Sequence, residues 1–291
     1  MLRLLIAFLL AGHAAALLAQ VGYPRKPILM IVPLQAASAV DNAARIVAQK
    51  MADNMGQPIV IENVPGAAGL IGAERVAKAA PDGYIIGGFN DSIMTMLPNV
   101  HVKMPWDILK DFEPVSLVAS MEWALIASPA GSYRNAGDLI ESAKAKPGTL
   151  NYSSGGNGSP QHVATGQVDA NFSGLPTVYT LIKSGKLRAI GIASAKRSAV
   201  LPDVPTVSEF LPGFEFNSAF SIVVPAGTPR DIVARLNAEV AKAVAAPEVR
   251  EKLVAQGFSV VGSSPEDLFK ATREQLERYG KLFKQVGIKA E

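Results

Sequence analysis

The feature that most restricts how this chain can fold is the alternation of apolar runs with helical spacing near its start. Pro27 to Pro33 (P-I-L-M-I-V-P) is a continuous apolar run between two prolines, as expected of a buried parallel strand. Val40 to Met55 then places Ala43, Ala44, Val47, Ala48 and Met51 on one apolar stripe, the mark of an amphipathic helix. Pro58 to Glu62 reads as a second strand and Ile71 to Ala80 as a second helix, stopped by Pro81-Asp82-Gly83. Tyr84 to Gly88 reads as a third strand. The order βαβαβ implies a parallel sheet with helices on both faces, so the fold class is α/β.

Further along, Val115 to Ser128 is an extended stretch long enough to cross from one domain to another. A helix follows over Asn135 to Lys146, and Leu150 to Tyr152 starts another strand. Strands are expected over Gln167 to Phe172, Leu187 to Ile192 and Ser218 to Val224, with a short helix closed by Leu181-Ile182-Lys183. Three C-terminal helices, Pro229 to Ala245, Pro247 to Gln256 and Pro265 to Gly287, each carry proline near the first turn, where its missing N–H costs nothing. Extended crossings near residues 115–128 and 218–224 predict a two-strand hinge. Residues 21–118 with 225–291 would form the first lobe and residues 119–224 the second.

Composition narrows the classes. Of 291 residues, 49% are hydrophobic, ample for one large core or two modest ones. The absence of cysteine excludes disulfides, thiolate zinc sites, iron–sulfur clusters and a lipoprotein anchor. A formal charge of +3 with no long Lys/Arg run gives no footprint for nucleic acid. Met1-Leu2-Arg3 followed by the apolar run Leu4 to Leu18 reads as a secretory signal over residues 1–20, cleaved near Ala16 or Ala19. The alternative, a membrane anchor, is disfavoured because the run is shorter than the ~20 residues a span needs. Export would place the mature chain in the periplasm.

Three loops share one design: each follows a strand and opens a helix, so unpaired N–H groups and the positive end of the helix dipole make it an anion site. The first, Leu34 to Val40, includes Gln35 and Ser38; Ser38 and Asp41 stand at the S-x-x-D spacing of a capping box. The second is Val64 to Gly69, where Gly66, Ala67, Ala68 and Gly69 let backbone approach a ligand. It is not a dinucleotide fingerprint, because the next strand (Y-I-I-G-G) ends without an acidic ribose partner. The third is the Gly/Ser-rich loop Ser153 to Ser159, running on to His162 and containing Gly155 and Asn157. Catalytic signals are weak. Ser159 and His162 could be imagined as nucleophile and base of a periplasmic serine hydrolase, but no G-x-S-x-G elbow surrounds them and their spacing is poor for attack. No cluster has metal-ligand spacing, and neither a metal nor a cofactor is expected.

The chain resembles the Bug proteins, periplasmic solute receptors of tripartite tricarboxylate transporters. The resemblance rests on V-P-G-A-A-G-L-I-G-A-E (64–74), A-K-A-A-P-D-G-Y (77–84), K-D-F-E-P-V-S-L-V-A (110–119), N-Y-S-S-G-G-N-G-S-P-Q-H (151–162), G-K-L-R-A-I-G (185–191) and L-P-D-V-P-T-V (201–207). It implies a two-lobed flytrap and a small carboxylate ligand such as an amino acid, dicarboxylate or tricarboxylate. It also implies a membrane permease of a large and a small subunit, served by a monomeric receptor. By position it implies that Asp41 lies beside the ligand, that Gly66 to Gly69 hold a carboxylate, that Asn90 to Ser92 line the cleft and that Ser153 to Ser159 close from the second lobe. Three departures stand out. The first loop is L-Q-A-A-S-A-V where the family is rich in proline and glycine. Ser173 stands where the family has aspartate. Between Ala164 and Thr165 the family's remaining helix, a strand, a turn and a further helix are absent. From Ser159 to Gln167 there is little room for a parallel crossover, which needs about a dozen residues. A second lobe lacking a central strand, with unpaired edges and weak or lost binding, is therefore expected. A degenerate receptor is the corresponding alternative function.

Overall fold

In the computed structural model, residues 22–153, 160–216, 218–285, 287 and 290 are described. The chain folds into two sheets. The first comprises β1 (Ile28–Val32), β2 (Ile59–Asn63), β3 (Ile85–Asn90), β4 (Phe112–Met121), β9 (Ser218–Pro225) and β10 (Phe258–Val260), in the order β10-β4-β9-β3-β1-β2. β1 pairs in parallel with β2 and β3, as the βαβαβ pattern predicts, whereas β9 runs antiparallel between β3 and β4. The second sheet comprises β5 (Trp123–Ala127), β6 (Tyr152–Ser153), β7 (Ala170–Gly174) and β8 (Arg188–Ile192), in the order β6-β7-β5-β8.

Helices cover the first sheet on both faces. On one, α1 (Ala39–Met55) buries Ala43, Ala44, Val47, Ala48 and Met51 against Met30, Ile86 and Phe220, joined by α7 (Arg230–Ala245) and α8 (Pro247–Ala255). On the other, α2 (Leu70–Ala77), α3 (Leu97–Val100) and α9 (Pro265–Gln285) enclose Ile31, Phe89, Trp106 and Phe112. The C-terminal helices thus complete the N-terminal unit. Gly56, left-handed at φ 68°, ends α1 by returning its N–H to Ala52.

The extended stretch from Val115 is two strands, broken at Glu122: β4 belongs to the first sheet and β5 to the second. β4 and β9 stay paired up to Met121 and Ser218. The sheet boundary therefore falls at Glu122 rather than after residue 118, and β9 belongs wholly to the first sheet. This moves residues 119–121 and 218–224 out of the second lobe, because their backbone groups pair within the six-stranded ladder. The two crossings lie side by side. Ala193 donates to Trp123 O (2.8 Å), Phe216 donates to Ala193 O (2.9 Å), and the Trp123 and Phe216 rings pack edge-to-face at 5.2 Å.

The second sheet has no hole at its centre. β6 pairs directly with β7 in parallel. The strand that the resemblance leads one to expect between them is absent, yet the connection from the end of β6 to the start of β7 covers residues 154–169, more than the dozen a parallel crossover needs. Its helix α5 (Pro160–Ala164) ends in a Schellman motif, with Gly166 left-handed at φ 73°, Gly166 N–H on Val163 O and Gln167 N–H on His162 O. That motif, and Asp169 bonding the Asn151 N–H at 2.8 Å, delay the strand to Ala170 rather than Gln167. α4 (Ala136–Ala145) covers one face of the sheet with Ala136 and Leu139, while α5 and α6 (Leu175–Lys183) cover the other with Val163, Leu175 and Val178.

Candidate functional site

β1, β2 and β3 end on the same edge of the first sheet, the edge at which β4 leaves for the second. Their following loops touch. A Cβ added to Gly69 would lie 3.1 Å from Pro33 O and 2.9 Å from the Ile93 side chain, and one on Gly72 would lie 2.7 Å from Val64 O. Glycine at these positions is what lets the three loops approach one another.

The backbone of these loops is unusual. Among the described residues, positive φ outside glycine occurs only at Ala37 (62°), Ala67 (44°) and Ala68 (56°). Gly66 (126°) and Gly69 (103°) flank the alanine pair, so four successive residues are left-handed or beyond. Such a run keeps the backbone out of regular helix and sheet, so its N–H groups are not consumed by either ladder. The Gly69 N–H closes a turn onto Gly66 O at 2.8 Å, while those of exposed Ala67 and Ala68 find no acceptor among the described residues. A left-handed L-residue costs roughly 1–2 kcal/mol, and such strain concentrates where function requires it.

Ser38 caps α1 by accepting the Asp41 N–H at 3.2 Å, but the second arm of the expected capping box does not form. Asp41 reaches one residue further and accepts the Ala37 N–H at 2.8 Å. Its carboxylate also accepts two N–H groups of Arg45 (2.9 and 3.1 Å) and the amide of Asn63 (2.9 Å). Asn63 in turn donates to Leu34 O at 3.1 Å and accepts from Arg45 at 2.9 Å. Asp41 is 1% exposed. Burial by itself would push its carboxyl up, but the bonds from Arg45, Asn63 and the Ala37 amide outweigh it and hold the group below the usual carboxylate range.

The remaining predicted residues divide. Gln35 is exposed on the first loop. Asn90 spends its side-chain oxygen capping the helical turn Ser92–Met96, accepting the Ile93 N–H at 3.1 Å, and Ser92 opens that turn. Ser173 is 8% exposed and bonds Asn171 at 3.0 Å. Ser153 pairs with Asn171 as the last residue of β6. Gly155, Asn157 and Ser159 lie outside the described residues. The His162 carbonyl closes the α5 motif, and its Nδ1 is buried without a hydrogen-bond partner among the described residues. Among the described residues no carboxylate bonds its ring as a catalytic base would require. Sequence reasoning missed Arg45 and Asn63. The i,i+4 spacing of Asp41 and Arg45 was a readable signal, whereas nothing local pointed to Asn63.

Comparison with known proteins fits this geometry. The profile of the tripartite tricarboxylate transporter family receptor matches residues 43–165 and 161–288, in two pieces that meet at the shortened crossover. Protein BugT of Bordetella pertussis is 30% identical over 313 aligned positions, covering 96% of this chain and 94% of that one. A protein from R. palustris solved with adipate superposes with a TM-score of 0.79 at 28% identity, over 92% of this chain and 100% of its own. MatC from Rhodopseudomonas palustris, solved with bound malate, gives 0.76 at 29% identity, over 89% and 99%.

Two α/β units joined by neighbouring crossings, with helix-opening loops gathered on the edge of one of them, define a solute-binding protein of the flytrap class. No described helix is long and apolar enough to cross a membrane. The chain belongs to the tripartite tricarboxylate transporter receptor family, a family of periplasmic binding proteins rather than enzymes.

Proposed function

We propose that this protein captures a small dicarboxylate or related organic acid in the periplasm and delivers it to a permease of large and small subunits. Residues 1–20 would be removed on export, and the receptor would act as a monomer. The two lobes would part at Glu122 and near residue 217, with the ligand held between the loops after β1, β2 and β3 and the segment Ser153–Ser159.

The observation that carries this reading is the gathering of left-handed alanines at Ala37, Ala67 and Ala68, with the Ala67 and Ala68 amides lacking an acceptor among the described residues, at the end of the first sheet where β4 leaves for the second. A carboxylate accepting such amides gains about 1.5–3 kcal/mol per charge-assisted bond. The adipate and malate held by structural neighbours favour a dicarboxylate. One observation favours a second reading, a degenerate receptor: the family profile matches in two pieces at 161–165, beside the loop that would close on the ligand.

Thermal shift of the mature chain against a panel of organic acids separates the two. A ligand at 100 times its Kd stabilises by about 2.7 kcal/mol, a rise of several degrees in Tm. No shift with any acid at millimolar concentration would sink the capture reading and leave the degenerate one. Turnover of an ester by the chain that Ser159→Ala abolishes would instead establish a hydrolase, whereas loss of affinity alone in that variant fits the receptor.

A further inference from the structure

We propose that Asp41 is a positioning residue: it never touches the ligand, but holds Ala37 in its left-handed conformation and ties the first anion loop to the end of β2. The inference rests on the capture reading and assigns how its site is preorganised.

The four acceptor positions of the Asp41 carboxylate are all occupied, by Ala37 N–H and Arg45 Nε on one oxygen and by Arg45 Nη2 and Asn63 Nδ2 on the other. Nothing remains to receive a donor from a solute, and an acidic side chain would in any case repel an anionic one. Its partners instead span the site. Ala37 belongs to the loop after β1; Asn63 ends β2, next to the second anion loop, and also holds Leu34 O. One carboxylate therefore fixes the spacing of two amide-bearing loops. It also neutralises Arg45, so the field at the site comes from oriented amides rather than from a mobile cation. The family resemblance predicts glycine in the first loop, and alanine replaces it here. An alanine at φ 62° needs something to keep it there, and the 2.8 Å bond from its N–H to Asp41 supplies the restraint.

The test is an epistasis measurement. Asp41→Asn keeps the shape but turns an NH2 toward either the Ala37 N–H or the Arg45 and Asn63 donors. Affinity for the acid selected from the panel is expected to fall about tenfold, equivalent to about 1.4 kcal/mol. Adding Ala37→Gly to Asp41→Asn is expected to recover about threefold, because glycine takes this conformation unaided. A purely structural role for Asp41 would lower Tm without such rescue. Affinity within twofold of the parent for Asp41→Asn, or a loss that Ala37→Gly does not relieve, overturns the proposal. Should Asp41→Asn fail to fold, Asn63→Ala carries the test: a severalfold loss of affinity at unchanged Tm supports the tie, and unchanged affinity overturns it. Should the parent bind no acid, the capture reading falls by itself. Amide exchange at Ala37 then decides: about tenfold faster exchange in Asp41→Asn supports the restraint, and an unchanged rate overturns it.

Discussion

Replacing Asp91 by asparagine should make the protein more stable at pH 8 and change little at pH 4. Asp91 follows β3 directly, beside the point where β9 begins. It is 6% exposed, it accepts the Ala219 N–H, and one of its carboxylate oxygens is buried with no partner among the described residues. Burial pushes its pKa from 3.8 up to about 7, against the smaller opposing effects of the Ala219 amide and the nearby Arg278 guanidinium. The folded state therefore holds this proton more tightly than the unfolded chain. The stabilisation is present in full below pH 3.8 and is lost as pH rises through 7. Between pH 5 and pH 8 the loss amounts to about 2–3 kcal/mol, taking 1.36 kcal/mol per pH unit. For a chain of this size that corresponds to about 5–10 °C in Tm. The Asp41 carboxyl, held low by its bonds, and Glu209, held down to about 2 mainly by Arg197, release their stabilisation only in more acidic solution. They leave the window to Asp91. Melting curves of parent and Asp91→Asn from pH 4 to pH 8 read the effect as a difference that opens toward alkaline pH. A constant difference across the range, or one that opens toward acid, refutes the assignment.

Other substitutions probe the backbone. Ala68→Gly removes about 1–2 kcal/mol of left-handed strain and costs roughly 0.4–1 kcal/mol of unfolded-chain entropy. It should therefore leave urea stability equal or up to about 1.6 kcal/mol higher; a clear drop would show that the φ of 56° carries no strain. Gly257→Ala should destabilise by about 2 kcal/mol or more. Its Cβ would fall 1.6 Å from Pro176, where the turn between α8 and β10 meets the start of α6, and φ is 75°; a variant that melts with the parent would contradict the contact. Gly166→Ala, at the end of the Schellman motif, should cost about 1 kcal/mol, seen as an earlier transition in urea.

Much of the first lobe was legible because local and global signals agreed there. Pro27–Pro33 is apolar on both sides of the chain because β1 is sandwiched between helices, and the stripe from Ala43 to Met51 is the face of α1 that packs on it. β10 escaped because it is three residues long and is defined by its partner β4 rather than by its own pattern. At the site, the loops could be located because a strand followed by a helix start exposes amides wherever it occurs. Which side chains hold those loops could not be read. Asp41 and Asn63 are distant in sequence, and only the parallel pairing of β1 with β2 brings them together. The resemblance implies that Asp41 lies beside the ligand; that its oxygens go to Ala37, Arg45 and Asn63 is set by the folded register.

The shortened second lobe shows why losing a whole segment can disturb a fold less than losing a single residue. The stretch that the family resemblance leads one to expect between Ala164 and Thr165 comprises the end of one helix, a strand and a further helix. Removing one strand and one helix from a β-α-β-α-β series leaves β-α-β, in which the strands keep their parallel sense. The described elements follow that order, β6, α5 and β7, and β7 pairs in parallel with β6. Ala124, Ile126 and Val163 remain buried on one face and Leu125, Ala127 and Ile190 on the other. The cost moves to the rim. β6, an edge strand of two residues, leaves Tyr152 82% exposed, and the segment that would close on a ligand begins at its end. The difference between this receptor and longer relatives should accordingly appear in how firmly the second lobe grips its solute, and much less in whether that lobe folds.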